Sequence, residues 1–280
     1  AGSSMADYRI GFKWWALIIA VVFVISEFVC VTCVPERPVA CDEKPGKISD
    51  MFKALFKNDQ AMTVVVSIIL VYTSLNICGN LVLYFFRFDV GNEGAYSIFA
   101  AVAFAAQVLV MMVIPLLRKR FSKSQLFISG FIIQIAGFAV ILIMAFAKLY
   151  TPQSWYILCL PGILIYLGYG MLNVIMTIFL SDSVDYGEVM NGTREESVIF
   201  SMQTFTVKLA SGVAVFLAGL VVDWIHLDTA AAVQTQDTLD ALRMWMTIPS
   251  VILLIVGIFV FKRFYKLDDT RMEEIKSKLN

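Results

Sequence analysis

The chain reads as an all-α membrane protein with seven transmembrane helices. Composition is the first reason: 59% of residues are hydrophobic, 16% are charged, and the mean hydropathy is +0.79. A soluble domain of this length carries far more charge. The second reason is how the apolar residues are distributed. They gather into seven runs, at Phe12–Val34, Met62–Phe86, Ala95–Leu117, Gln125–Ala147, Trp155–Leu180, Val198–Val222 and Trp245–Phe264. Each is long enough to cross about 30 Å of hydrocarbon as a helix. The formal net charge is zero, which argues against a nucleic-acid partner, and the lipid bilayer is the surrounding medium.

Orientation follows from lysine and arginine, which accumulate in cytoplasmic segments. If the first run passes from outside to inside, sixteen of the 22 basic residues fall on the inner side and five on the outer. The remaining one, Lys208, lies inside a run. The expected topology has the N-terminus outside and the C-terminus cytoplasmic, in an inner membrane.

Residues 1–11 are polar and begin with Ala1. Gly2-Ser3-Ser4 reads as a tag scar or as the start of a piece cut from a longer chain, and no signal-peptide pattern is present. The first run carries Glu27, either a helix–helix partner or a loop-side charge. It ends in Cys30 and Cys33, with Cys41 beyond. Three cysteines without a fourth ligand do not close a tetrahedral metal site, so plain reduced thiols are expected. Cys78 and Cys159 read as small hydrophobes.

Residues 35–61 form the longest connection. Pro35, Pro38, Pro45 and Gly46 make its first half irregular. Ile48–Lys57 then has the period of an amphipathic helix on the inner membrane face, either a hinge between two bundles or a simple tether. The second run has Tyr72, Thr73, Asn76 and Asn80 on one side. The third and fourth carry single amides, Gln107 and Gln134, expected to bond between helices. The turn Leu117–Lys123 between them is short and strongly basic.

In the fifth run Gly162, Gly168 and Gly170 permit a bend or a close neighbour, and Tyr166, Tyr169, Asn173 and Thr177 make a polar side. An acidic loop is expected at Ser181–Glu196, with Asp182, Asp185, Glu188, Glu195 and Glu196 against Arg194. It reads as a salt-bridged latch, a solvated loop or a cation site. The sixth run places Ala210, Ala214 and Ala218 four residues apart, a seam for close helix packing. An outer loop, 223–244, carries the single histidine, His226. The tail Lys262–Asn280 is charged and helical in period.

The sixth run also places Lys208 near its centre, where a lysine costs roughly 2.5–3.5 kcal/mol. Ser197, Ser201, Thr204, Lys208 and Ser211 follow one another at four, three, four and three residues, so they share one face. A hydroxyl stripe around a cation belongs beside a watery cavity or a partner helix. A buried lysine paired with a carboxylate is the plainer alternative. No phosphate-binding loop, nucleophile elbow or paired zinc ligands occur, so neither an enzyme nor a covalently bound cofactor is expected.

Ser181-Asp182-Ser183-Val184-Asp185-Tyr186-Gly187-Glu188, Gly192-Thr193-Arg194, Phe200–Phe205 and Val207-Lys208 resemble the signature of the glycoside–pentoside–hexuronide:cation symporters. These are the melibiose-permease-like branch of the major facilitator superfamily. Asp50–Asn58 and Arg263–Leu267 are similar to that family as well. The resemblance implies cation-coupled symport of a sugar or glycoside by alternating access. It makes the runs the sixth to twelfth helices of a twelve-helix protein: the C-terminal six-helix bundle, 62–264, preceded by one helix (1–34) and an inter-bundle loop (35–61), and followed by a tail (265–280). The missing N-terminal bundle would be the partner. Lys208, Thr204 and Val207 fall where the family's eleventh helix meets the sugar. Asn173 stands where melibiose permeases have a tryptophan at the sugar, and Tyr169 and Asn76 join the site from the polar faces. Asp182, Asp185 and Arg194 fall where an inner charged network closes the cavity. The coupling cation, Na⁺ or H⁺, would sit mostly on helices outside this chain.

Two other readings of seven spans are a seven-helix receptor or retinal protein, and a half-sized facilitator acting as a dimer. A retinal protein needs its Schiff-base lysine on the last helix, whereas Lys208 is on the sixth.

Overall fold

The computed structural model describes residues 5–33, 56–192, 196–231 and 233–279. Ala1–Gly46 and Lys47–Asn280 form two units. In the first, helix α1 (Met5–Cys33) covers the first apolar run from Phe12 to Cys33. The second unit holds α2 (Asp59–Tyr84), α3 (Ala95–Leu117), α4 (Lys123–Phe146), α5 (Cys159–Asn191), α6 (Glu196–Trp224), α7 (Gln236–Phe264) and a short tail helix α8 (Asp269–Leu279). Among the described residues there is no strand, and seven helices are long and apolar enough to span a bilayer. The chain is an all-α membrane protein. The amphipathic helix expected from Ile48 lies outside the described residues up to Leu55.

Helices form the spans because only an intra-segment hydrogen-bond ladder satisfies the backbone in hydrocarbon. Their ends are set by local chemistry. Asn58 caps α2, its side chain accepting from the Ala61 N–H, and Ser122 with Gln125 makes a capping box at α4. Thr235 caps α7 by accepting from the Thr238 N–H.

Two boundaries differ from the expectation. α5 does not give way to a loop at Ser181 but continues to Asn191, ending at Gly192 in the left-handed region with φ 73°. The acidic stretch through Val189 is therefore helical. It is held by packing that the sequence does not show: Tyr186 and Val189 lie against Leu267, Met272 and Ile275 of the tail segment. Likewise α7 begins at Gln236, inside the expected loop 223–244. Its Arg243 is buried rather than loop-borne, because Asp89, in the π-helical turn that follows α2, neutralises it. His226 is exposed with φ 52°.

The hydrophobic effect gives little drive between helices in lipid, so close packing must do the work. α5 is the hub, touching α2, α3, α4 and α8, while α2 also contacts α6 and α7. A Cβ on Gly168 would come within 2.6 Å of the Gln134 N and the Gly130 O on α4, so glycine alone permits that approach. On α6 the buried face is Ile199, Met202, Thr206, Ala210, Ala214, Ala218 and Val221, so the alanine seam is the packing face. Aromatic rings knit one end of the bundle: Phe127 lies 4.5 Å from Phe261 and 5.1 Å from Phe179 between ring centroids. Gln134 does not make its expected interhelical bond. It is fully buried, and neither amide atom has a partner among the described residues.

Candidate functional site

Three helices carry polar groups near their middles. On α2, Tyr72, Asn76 and Asn80 recur every fourth residue and are half-buried. The Asn76 amide donates to the Tyr72 carbonyl at 2.7 Å, and the Asn80 amide to the Asn76 carbonyl at 2.7 Å. A carbonyl only accepts, so both amides must turn Nδ2 to the backbone and keep Oδ1 as the remaining acceptor. On α5, Asn173 Nδ2 donates to the Tyr72 hydroxyl at 2.5 Å, joining the two helices. Tyr169 meets Tyr72 edge to face at 5.5 Å between ring centroids. Tyr166 stands 6.5 Å from Tyr169. Thr177, one turn from Asn173, donates to the Asn173 carbonyl at 3.2 Å. The structure thus brings Asn173, Tyr169 and the neighbourhood of Asn76 together around Tyr72, which sequence reading placed only on a polar face.

The α6 stripe lies opposite the alanine seam. Ser197, Ser201, Thr204 and Lys208 are exposed, Ser211 is half-buried, and Val207 is partly buried against the core. Thr204 Oγ1 donates to the Phe200 carbonyl at 3.4 Å. Among the described residues, Lys208 makes no hydrogen bond or ion pair, and no hydrogen bond joins the stripe to the α2–α5 cluster.

At the end where α4 begins and α5 finishes, Asp182 is buried in an ion pair with Lys123. Lys123 also lies 3.5 Å from Asp269 at the start of α8, which Arg118 approaches at 3.3 Å. Asn58 Nδ2 donates to the Ser183 carbonyl at 2.8 Å, tying α2 to the same place. Asp185 is half-buried there, and Arg194 lies outside the described residues. The partner that the structure gives Asp182 is therefore a lysine of the basic turn.

A second charged cluster closes the opposite end. The last turn of α2 continues as a π-helix, Phe85–Asp89, a widened turn that re-aims the side chains on it. Asp89 takes two bonds from Arg243, at 2.8 Å from Nε and 2.5 Å from a terminal nitrogen, and both side chains are only 3% exposed. Asp240 holds the remaining nitrogen at 2.7 Å, and the Tyr150 hydroxyl donates to Asp89 at 2.6 Å. Burial, with Asp89 as acceptor, pushes the Tyr150 phenol far above its ordinary range, so it stays a donor. No group of three or more His, Cys, Asp or Glu suited to a metal occurs among the described residues.

Comparison with known proteins fixes the family. The model of the family described as MFS/sugar transport protein matches residues 3–269. The chain is 24% identical to the raffinose carrier protein of Pediococcus pentosaceus, over 99% of this chain and 43% of that one. It is 25% identical to the isoprimeverose transporter of Lactiplantibacillus pentosus, over 90% of this chain and 51% of that one. An uncharacterized symporter of Bacillus subtilis is 24% identical over 97% of this chain and 58% of its own.

The chain belongs to the glycoside–pentoside–hexuronide:cation symporter family of the major facilitator superfamily. It spans about half the length of these relatives.

Two parts of this symporter-family chain escaped sequence reading. The Lys123–Asp182 pair carried a faint signal: both residues sit at the same end of adjacent, antiparallel spans. The Asp89–Arg243 pair carried another, since each is a charge at the rim of an apolar run.

Proposed function

We propose that the chain supplies one half of a cation-coupled sugar symporter that works by alternating access. The observation that carries this reading is Lys208: a cation half-way along an apolar helix, exposed on the face opposite its packing seam and, among the described residues, without a partner. Such a charge is tolerated only beside water, substrate or an opposing carboxylate. The α2–α5 cluster of phenols and amides adds the neutral hydrogen-bonding groups that orient sugar hydroxyls.

In this reading Lys208, Thr204 and Val207 meet the sugar from α6, and Asn173, Tyr169 and Asn76 from α5 and α2. A first bundle supplies the opposing wall, with the sugar near the midplane between the halves. α1 is the last helix of that bundle, and the coupling cation is held mostly by its other members. Asp182, with Asp185 and Arg194, gates the cytoplasmic mouth of an inner-membrane protein whose α1 starts outside and whose tail is cytoplasmic. The relatives' names supply the sugars to try: raffinose, isoprimeverose, lactose and sulfoquinovose.

The test is uptake by the full gene product in proteoliposomes under an imposed Na⁺ or H⁺ gradient. At least one of these sugars is expected to accumulate under one gradient and to equilibrate without it. Intact, inserted protein that accumulates none of them under either gradient contradicts the reading.

A further inference from the structure

The three asparagines of the cluster differ in one respect. Asn76 and Asn80 are oriented by backbone carbonyls, which accept and never donate. Asn173 is oriented by a hydroxyl, which does either. When the Tyr72 oxygen accepts from Nδ2, the amide oxygen of Asn173 is left as an acceptor. Were the Tyr72 proton given to Asn173 instead, the amide would turn over and present two donors. Among the described residues nothing donates to Oδ1 of Asn76, Asn80 or Asn173. Each of these three half-buried amides therefore keeps its oxygen as an open acceptor, a pattern matched to a ligand rich in hydroxyl donors.

We propose that Tyr72 is a positioning residue: its hydroxyl fixes the Asn173 amide with Oδ1 left to accept from a substrate hydroxyl. This rests on the sugar-transport reading above. Tyr169 supports the arrangement. Buried to 8% exposure, it holds the Tyr72 ring edge to face. The Tyr72 ring thus packs while its oxygen orients, and the two roles separate in Tyr72→Phe, which keeps the ring and removes the oxygen.

The experiment is uptake kinetics with the full gene product, using whichever sugar it transports and the deoxy analogues of that sugar. Tyr72→Phe is expected to raise KM about tenfold, the loss of one oriented polar contact, with kcat within about twofold of wild type. In an Asn173→Ala background the same change is expected to add less than about twofold, because its action passes through the amide. One deoxy analogue, the one lacking the hydroxyl that meets Asn173, is expected to lose its disadvantage in Tyr72→Phe. An unchanged KM for Tyr72→Phe overturns the proposal while leaving the sugar-transport reading intact, as does an equal rise in KM with and without Asn173. If Tyr72→Phe inserts poorly, Asn173→Ala decides: a KM no higher than wild type overturns the proposal too. A wild-type protein that transports no sugar overturns both readings.

Discussion

Lys208→Ala is expected to abolish sugar uptake while the protein still reaches the membrane. The α6 helix packs through Ile199, Met202, Thr206, Ala210, Ala214, Ala218 and Val221, and Lys208 lies outside that face, so removing its side chain leaves the seam untouched. Deleting a mid-membrane cation that has no partner among the described residues even eases insertion, by roughly 2.5–3.5 kcal/mol. A loss of activity would therefore report on the cavity and not on folding. A fall of at least about a hundredfold in kcat/KM is expected, as for a charge-assisted contact worth roughly 3 kcal/mol. Lys208→Arg is expected to be nearly as poor, since a planar guanidinium does not replace a compact ammonium. Uptake kinetics beside surface-labelled expression checks this, and wild-type uptake by Lys208→Ala would remove the lysine from the mechanism.

The second large effect is on stability. Asp89→Ala leaves Arg243 buried at 3% exposure without its bidentate carboxylate. Breaking one side of a buried pair costs about 3–5 kcal/mol, because the surviving charge stays in a poorly solvating place. Thermal unfolding of the purified protein in detergent is expected to show that loss. Asp89→Leu combined with Arg243→Met is expected to recover most of it, since replacing both partners by apolar groups is often close to neutral. Tyr150→Phe removes one neutral-donor bond to Asp89 and is expected to cost about 1 kcal/mol. If Asp89→Ala unfolds like wild type, the cluster is not what joins the end of α2 to α7.

What could be read from the sequence follows from how membranes constrain a chain. The seven spans were legible because hydrocarbon thickness demands long apolar runs, and α3 has the bounds of its run, Ala95–Leu117. The alanine seam of α6 was legible because four-residue spacing places small side chains on one face, and Gly168 because only a small residue admits a neighbouring backbone. Polar faces on α2 and α5 were legible by the same periodicity. Partnerships were not. Lys123 with Asp182, and Arg243 with Asp89, unite residues far apart in sequence, and each pair buries charge that hydropathy alone assigns to a loop or a turn. The same blindness ended α5 too early, because Tyr186 and Val189 stay helical through contacts with the tail. Gln134 differs in the other direction, a single amide expected to find a partner and packed without one among the described residues.

Adding the opposing wall is the most direct measurement of whether this chain works as half of a symporter. In that reading the faces at Tyr72–Asn80, Tyr166–Thr177 and Ser197–Ser211 line one side of a cavity, and alternating access needs two halves that rock against each other. Sugar uptake would be measured in liposomes holding this chain alone, and in liposomes holding it co-expressed with the remaining helices of the first bundle. The expected result is no uptake by the chain alone and gradient-driven uptake by the pair. Cation-dependent accumulation by the chain alone would contradict it and make a dimer of this chain the transporter.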